Sequence, residues 1–138
     1  HNAAFVSYAH TMAPVHLDDL ENMLSAGRAK SALIMLIDPE RLAELPPQAQ
    51  HYLGQAYRLR GEEGDVKRAR ETYLKTIEAE PELAPSYRAL GVLRMKANHY
   101  VDAQKYLERY VELVPSAPDL KYVESYQRIA RKKAGGQS

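Results

Sequence analysis

With 19 basic and 18 acidic side chains in 138 residues, the chain carries a net charge of only +1. We therefore expect neither nucleic acid nor an anionic membrane surface as its main partner, because both attract clustered lysine and arginine. The absence of cysteine excludes disulfides and thiolate metal sites. No apolar run approaches the roughly 20 residues of a membrane-spanning helix, so membrane insertion is not expected.

Residues 1–16 predict a helical segment ahead of the main body of the chain. Phe5, Tyr8, Ala9 and Met12 recur at the spacing of one helix face. We expect this helix to cap the first apolar face of the domain that follows, or to cover the same face of a neighbouring copy and so form a homo-oligomer. A disordered segment is the remaining alternative.

Residues 47–81 and 82–115 are two copies of one repeated unit. Three pairs of residues recur at an interval of 34 positions: Ala69 and Ala103, Tyr73 and Leu107, and Pro81 and Pro115. Leu53-Gly54 and Leu90-Gly91 are instead 37 positions apart, and the three surplus residues of the first unit fall within 60–66. An insertion there should lengthen only a turn, because the entropy of loop closure grows slowly with loop length.

Each unit predicts two helices joined by a turn. Asn98 interrupts the apolar pattern of the second unit and tolerates the left-handed conformation that ends a helix. In the first unit, Asp65 follows a glycine-containing turn and is a suitable N-cap for the next helix. Pro81 and Pro115 would end the second helix of each pair. Residues 17–46 predict a degenerate helix-turn-helix unit of the same kind.

Small residues recur where the paired helices should touch. A glycine inside a helix costs about 1 kcal/mol relative to alanine, so its recurrence needs a packing reason. Gly91 on one helix and Ala103 on the other would permit a close approach of the two. One helix pair cannot bury its own apolar face, so we expect the units to stack.

Residues 116–131 predict a C-terminal capping helix, and 132–138 predict a flexible tail. Ser116 and Asp119 have the spacing of a capping box, with Pro118 in the first turn. The apolar face of this helix would consist of Leu120, Val123, Tyr126 and Ile129.

The repeated unit resembles the tetratricopeptide repeat, whose signature is W-x2-L-G-x2-Y, then A-x3-F, then P in 34 residues. The first unit matches it at Leu53, Gly54, Tyr57, Ala69, Tyr73 and Pro81, and the second at Tyr87, Leu90, Gly91, Ala103, Leu107 and Pro115. Gln50 stands where the family has Trp, and Arg94 replaces the Tyr of the second unit. The resemblance implies an all-α fold, a right-handed α–α superhelix of stacked helix pairs.

The same resemblance implies a concave groove that binds a protein or peptide. The groove positions are His51, Tyr52, Gln55, Arg58 and Leu59, then Arg88, Ala89, Val92, Met95 and Lys96, with Leu17, Glu21 and Leu24 from the degenerate unit. The carboxylate clamp of some family members is not present, since His51, Gln55 and Ala89 occupy its places. Arg58 and Arg88 could instead bond the carboxylates of an acidic ligand, or be ordinary solvated arginines.

Val92 and Met95 add apolar surface to this groove and favour a partner there. Packing against the final helix is the alternative for these two side chains. A narrower resemblance is to the C-terminal repeat region of bacterial exported zinc metallopeptidases of the prenyl-protease-like family. It would make the chain an accessory domain that positions a substrate or partner for a zinc metallopeptidase whose catalytic part lies outside this chain, in a periplasmic or other exported location. A cytoplasmic location is expected otherwise.

No catalytic or cofactor-binding constellation is visible in the sequence. The H-E-x-x-H zinc motif is absent, and no two of the five histidines have the i, i+4 spacing of a helical metal site. We expect no enzymatic activity, no metal and no cofactor. The leading hypothesis is a non-enzymatic protein- or peptide-binding scaffold, with a self-associating spacer as a further possibility.

Overall fold

The computed structural model describes residues 17–37 and 45–136. Every regular element in these two ranges is an α-helix, which confirms the predicted all-α class there. The helices are α1 Leu17–Ser25, α2 Ala29–Leu36, α3 Pro47–Arg60, α4 Asp65–Ala79, α5 Ala84–Lys96, α6 Tyr100–Leu113 and α7 Leu120–Ala134. The predicted N-terminal helix at 1–16 lies outside the described residues, so its role as a cap or an exchanged segment stays a prediction.

The chain divides into two compact units, residues 1–69 and 70–138. In the first, α1 and α2 pack with α3 around a core of Leu20, Leu24, Ala32, Leu33, Leu36, Leu45, Ala49, Leu53 and Ala56. In the second, α5, α6 and α7 pack around Ala84, Leu107, Tyr110, Ala117 and Val123. Burial of these apolar side chains supplies the main stabilisation of each unit.

The predicted close approach of paired helices is confirmed for α5 and α6. Gly91 on α5 is buried, and a Cβ added to it would lie 2.5 Å from Leu107 Cδ2 and 3.4 Å from the Leu107 backbone nitrogen. Ala103, one turn before Leu107 on α6, is fully buried. Any side chain larger than hydrogen at position 91 would therefore overlap Leu107.

The turn between α5 and α6 ends its helix as the sequence predicts. Asn98 has a φ of 63°, the left-handed conformation. Its backbone N–H donates to the Met95 carbonyl at 3.1 Å, and the His99 N–H donates to the Arg94 carbonyl at 2.9 Å. The Asn98 side-chain oxygen accepts a 2.7 Å hydrogen bond from the Tyr100 hydroxyl. These bonds satisfy the last carbonyls of α5 and hold the turn in place.

The turn between α3 and α4 is more strongly specified than the sequence suggests. Gly61 and Gly64 both have left-handed φ values, 65° and 85°. The carboxylate of Asp65, the first residue of α4, is fully buried. It accepts two 2.8 Å hydrogen bonds from the Arg60 guanidinium, one at 2.9 Å from Arg68 and one at 3.0 Å from the Glu62 backbone. An insertion in this turn would break that set of bonds, so it would not lengthen a passive loop.

Replacing Asp65 with asparagine is expected to lower the free energy of unfolding by about 2 kcal/mol at neutral pH, because hydrogen bonds to a charged group are lost. The Arg60 hydrogen bonds hold the pKa of Asp65 well below its usual range. Its stabilisation is therefore present above the unfolded pKa of about 4 and is lost as the pH falls below it. Urea denaturation of Asp65→Asn measures the effect. Glu63→Gln, an exposed change in the same turn, is the control, and equal losses in the two variants would contradict the prediction.

A hydrogen bond between two hydroxyl groups links α4 to α5 within the compact unit 70–138. Thr76 and Ser86 are both fully buried, and their hydroxyl oxygens lie 2.6 Å apart. Thr76 Oγ1 also lies 2.6 Å from the Tyr73 carbonyl oxygen. A hydroxyl donates one proton, so Thr76 donates to Tyr73 while Ser86 donates to Thr76.

The final helix differs from its prediction in three respects. The capping box is wrong: Asp119 is the N-cap of α7 but makes no side-chain capping bond, because its carboxylate bonds Arg88 and Tyr110 instead. Ile129 is 44 % exposed, while Val123 and Ala130 are buried. The helix also continues to Ala134, since the arginine and lysines of its last turn favour the negative end of the helix dipole.

Candidate functional site

The predicted groove residues are carried by α3 in the first unit and α5 in the second. The α3 face is defined as His51, Tyr52, Gln55, Arg58 and Leu59. The α5 face is defined as Arg88, Ala89, Val92, Met95 and Lys96. That the two faces form one groove stays a prediction.

His51 lies in the interior of the α3 face. Its residue exposure is 5 %, and its ring makes an edge contact with Tyr52 at a centroid distance of 6.0 Å. Burial, with a smaller contribution from the Arg58 charge, lowers the pKa of His51 to about 4. The imidazole is therefore uncharged at neutral pH, and it gives the α3 face a buried aromatic ring and no cation.

The remainder of the α3 face is graded from buried to exposed. Tyr52 packs against the first unit's core, and Gln55 is also half-buried. Arg58 is exposed, and Leu59 is 41 % exposed. This edge thus presents a cation beside apolar surface, a combination that suits a ligand carrying both a carboxylate and an apolar side chain.

Helix α1 contributes acidic charge next to the α3 face. Burial first, then the charges of Glu21 and Asp18 on α1, raises the pKa of Tyr52. Glu21 is exposed, whereas Leu17 packs on the core and Leu24 belongs to it. Of the three positions predicted on α1, Glu21 is therefore the one most open to solvent.

The α5 face is largely engaged within its own unit. Met95 packs against the core cluster to which α5, α6 and α7 all contribute, and its packing against α7 itself stays a prediction. Val92 and Ala89 are half-buried, and Lys96 is exposed. Met95, the largest apolar side chain of this face, therefore already packs within its own unit.

Arg88 is the centre of a polar and aromatic cluster in the second unit. Its Nε donates to Asp119 Oδ2, and its guanidinium lies 5.6 Å from the centroid of the Tyr122 ring. The Tyr110 hydroxyl donates to Asp119 Oδ1 at 2.8 Å. The Tyr122 and Tyr126 hydroxyls are 2.7 Å apart. Arg88 is therefore not an ordinary solvated arginine.

The electrostatics of this cluster favour an ionised Asp119. Burial opposes ionisation of its carboxyl group, but the hydrogen bonds from Arg88 and Tyr110 outweigh burial and lower its pKa. Burial and the bond to Asp119 raise the pKa of Tyr110 to about 12, so its hydroxyl remains a donor at neutral pH. The cluster is thus a charged pair held by a neutral phenol.

Sequence reasoning missed Asp119 and Tyr122 as members of this cluster. A signal for Tyr122 was present, since it follows Arg88 by 34 positions and so occupies the equivalent place in the repeat. The spacing of Asp119 from Ser116 suggests a local capping role and gives no sign of its two distant partners, Arg88 and Tyr110.

The described residues contain no group of three or more histidine, aspartate or glutamate side chains placed to hold a metal ion. Within 17–37 and 45–136, no helix combines the length and apolar character needed to cross a membrane. A scan against protein-family models and a search of curated proteins both found no match to the chain.

Proposed function

We propose that this chain is a non-enzymatic helical-repeat module, similar to tetratricopeptide repeats, that binds a protein or peptide through its α3 and α5 faces. The observation that best supports the helical-repeat part of this proposal is the contact between Gly91 and Leu107, where the small residue of the 34-residue pattern lets α5 approach α6. The equivalent small residues of the repeat at 47–81, Gly54 and Ala69, are buried as well. Equivalent packing positions in successive helix pairs are what a stacked superhelix requires.

The exposed parts of the two faces support a binding role. Arg58 and Lys96 are open to solvent, and Leu59 exposes apolar surface beside Arg58. Long cationic side chains and apolar groups together recognise peptides through charge-assisted bonds and burial. The ligand of this proposal therefore carries an apolar anchor and at least one carboxylate for Arg58.

Binding is tested on peptides selected from a random display library against the whole chain. Arg58→Ala and Lys96→Ala should each lower the affinity for the selected peptide about fivefold or more, because each removes a charge-assisted contact. Fluorescence anisotropy with labelled peptide gives the dissociation constants. Met95→Ala is a poor probe, since Met95 also packs against the core.

Matched controls are Lys75→Ala and Lys105→Ala on α4 and α6, which remove the same charge from exposed positions on the second helix of each pair. Equal affinities for all four variants would contradict the proposal. A library that yields no binding peptide would also count against it.

A further inference from the structure

In the Arg88–Asp119 pair, the protein's own carboxylate occupies the place that the carboxylate of a ligand would take. Arg88 belongs to the α5 face, and Asp119 lies 31 positions later in the chain at the start of α7. One oxygen of Asp119 accepts from Arg88 and the other from Tyr110. Arginine bonded to a carboxylate is the interaction expected of an acidic peptide at this position.

The pair is not sealed inside the unit. The side chain of Arg88 is 35 % exposed and that of Asp119 is 31 % exposed. Tyr122, whose ring lies beneath the Arg88 guanidinium, is 50 % exposed. A ligand carboxylate could therefore reach Arg88, but it would meet the negative charge of Asp119 there.

The orientation of the Asp119 side chain supports the same interpretation. Aspartate at a helix N-cap usually accepts a bond from the backbone N–H groups of the first turn. Asp119 makes no such bond, and its carboxylate faces Arg88 and Tyr110 instead. The Asp119 carboxylate therefore does not cap its own helix and instead bonds Arg88 on the α5 face.

We propose that Asp119 is a specificity-determining residue that occupies the carboxylate position at Arg88 and keeps ligand carboxylates from that one position of the α5 face. This inference rests on the proposed function, because it assigns the α5 face to ligand binding. The two predicted arginines then have different roles. Arg58 remains open to an external carboxylate, whereas the charge of Arg88 is neutralised by Asp119.

The test compares binding of a tetraglutamate peptide, acetylated and amidated at its ends, to the whole chain and to Asp119→Asn. Asparagine keeps the size of the side chain and an oxygen that accepts from Tyr110, but it removes the charge. We expect Asp119→Asn to bind the peptide at least about tenfold more tightly than the unmodified chain. The Arg88 Nε–H resonance should shift on titration in the variant and stay constant in the unmodified chain.

The double variant Asp119→Asn with Arg88→Gln should lose this gain, and a tetraglutamine peptide should show none. Asp119→Ser, another neutral N-cap residue, serves if the asparagine variant does not fold. Equal affinity of Asp119→Asn and the unmodified chain, or a gain that survives Arg88→Gln, would overturn the proposal. Failure of the library selection with a positive result here would reject the proposed function while retaining the role of Asp119.

Discussion

Replacing Gly91 with leucine is expected to lower the free energy of unfolding by about 3 kcal/mol or more, the upper range for overpacking a core. The first atom of the new side chain would already lie 2.5 Å from Leu107 Cδ2 and 2.7 Å from its Cγ. Leu107 is fully buried among the core residues of the second unit and has little room to move. The higher helix propensity of leucine, about 1 kcal/mol over glycine, offsets only part of this cost. Urea denaturation followed by circular dichroism measures the difference.

Gly135→Leu is the matched control for the Gly91 variant. Gly135 has a right-handed helical conformation, and an added Cβ would meet only carbonyl oxygens at 3.6 and 3.7 Å, an ordinary contact distance. We expect a change of a few tenths of a kcal/mol there. Combining Gly91→Leu with Leu107→Ala should cost less than the sum of the two single changes, because the smaller residue relieves the overlap. A stable Gly91→Leu protein would contradict the helix packing described above.

Acidification is expected to destabilise the first unit through His51. Its pKa is lowered to about 4 in the folded chain from an ordinary value of 6.5, first by burial and then by the Arg58 charge. A group with a lowered folded pKa stabilises the fold fully above its unfolded pKa and loses that contribution as the pH falls towards the folded value. The loss should therefore occur between about pH 6.5 and 4 and reach about 3 kcal/mol.

The measurement is urea denaturation at a series of pH values, together with the NMR titration of the His51 ring. His51→Gln should flatten the pH dependence in this window, because glutamine does not ionise. His99→Gln is the control, since His99 is exposed. Parallel pH profiles for the unmodified chain and His51→Gln would show that the buried imidazole is not the cause.

Features that depend on local sequence were predictable. Asn98 adopts the left-handed conformation, and the helices on either side of it end and begin within a few residues of the pattern. A small residue that recurs inside a helix indicates close packing, and Gly91 does face Leu107. These inferences use only helical spacing and the backbone preferences of individual residues.

Features that depend on competition between partners were not predictable. Asp119 has suitable spacing for a capping box, but Arg88 and Tyr110 compete for the same carboxylate and are distant in the chain. The sequence contains both possibilities and does not rank them, since the outcome depends on where α5 and α6 place their side chains. His51 is similar, because its burial follows from the packing around α3 and not from the residues next to it.

The turn that joins α3 and α4 has a kinetic consequence. All the bonds to the Asp65 carboxylate come from residues within five positions of it. Contacts this close in sequence form with little loss of chain entropy and without waiting for distant segments to meet. We therefore expect this turn to form early in folding, so that a change at Asp65 slows refolding more than it accelerates unfolding. The buried carboxylate would then organise the order of folding as well as the final structure.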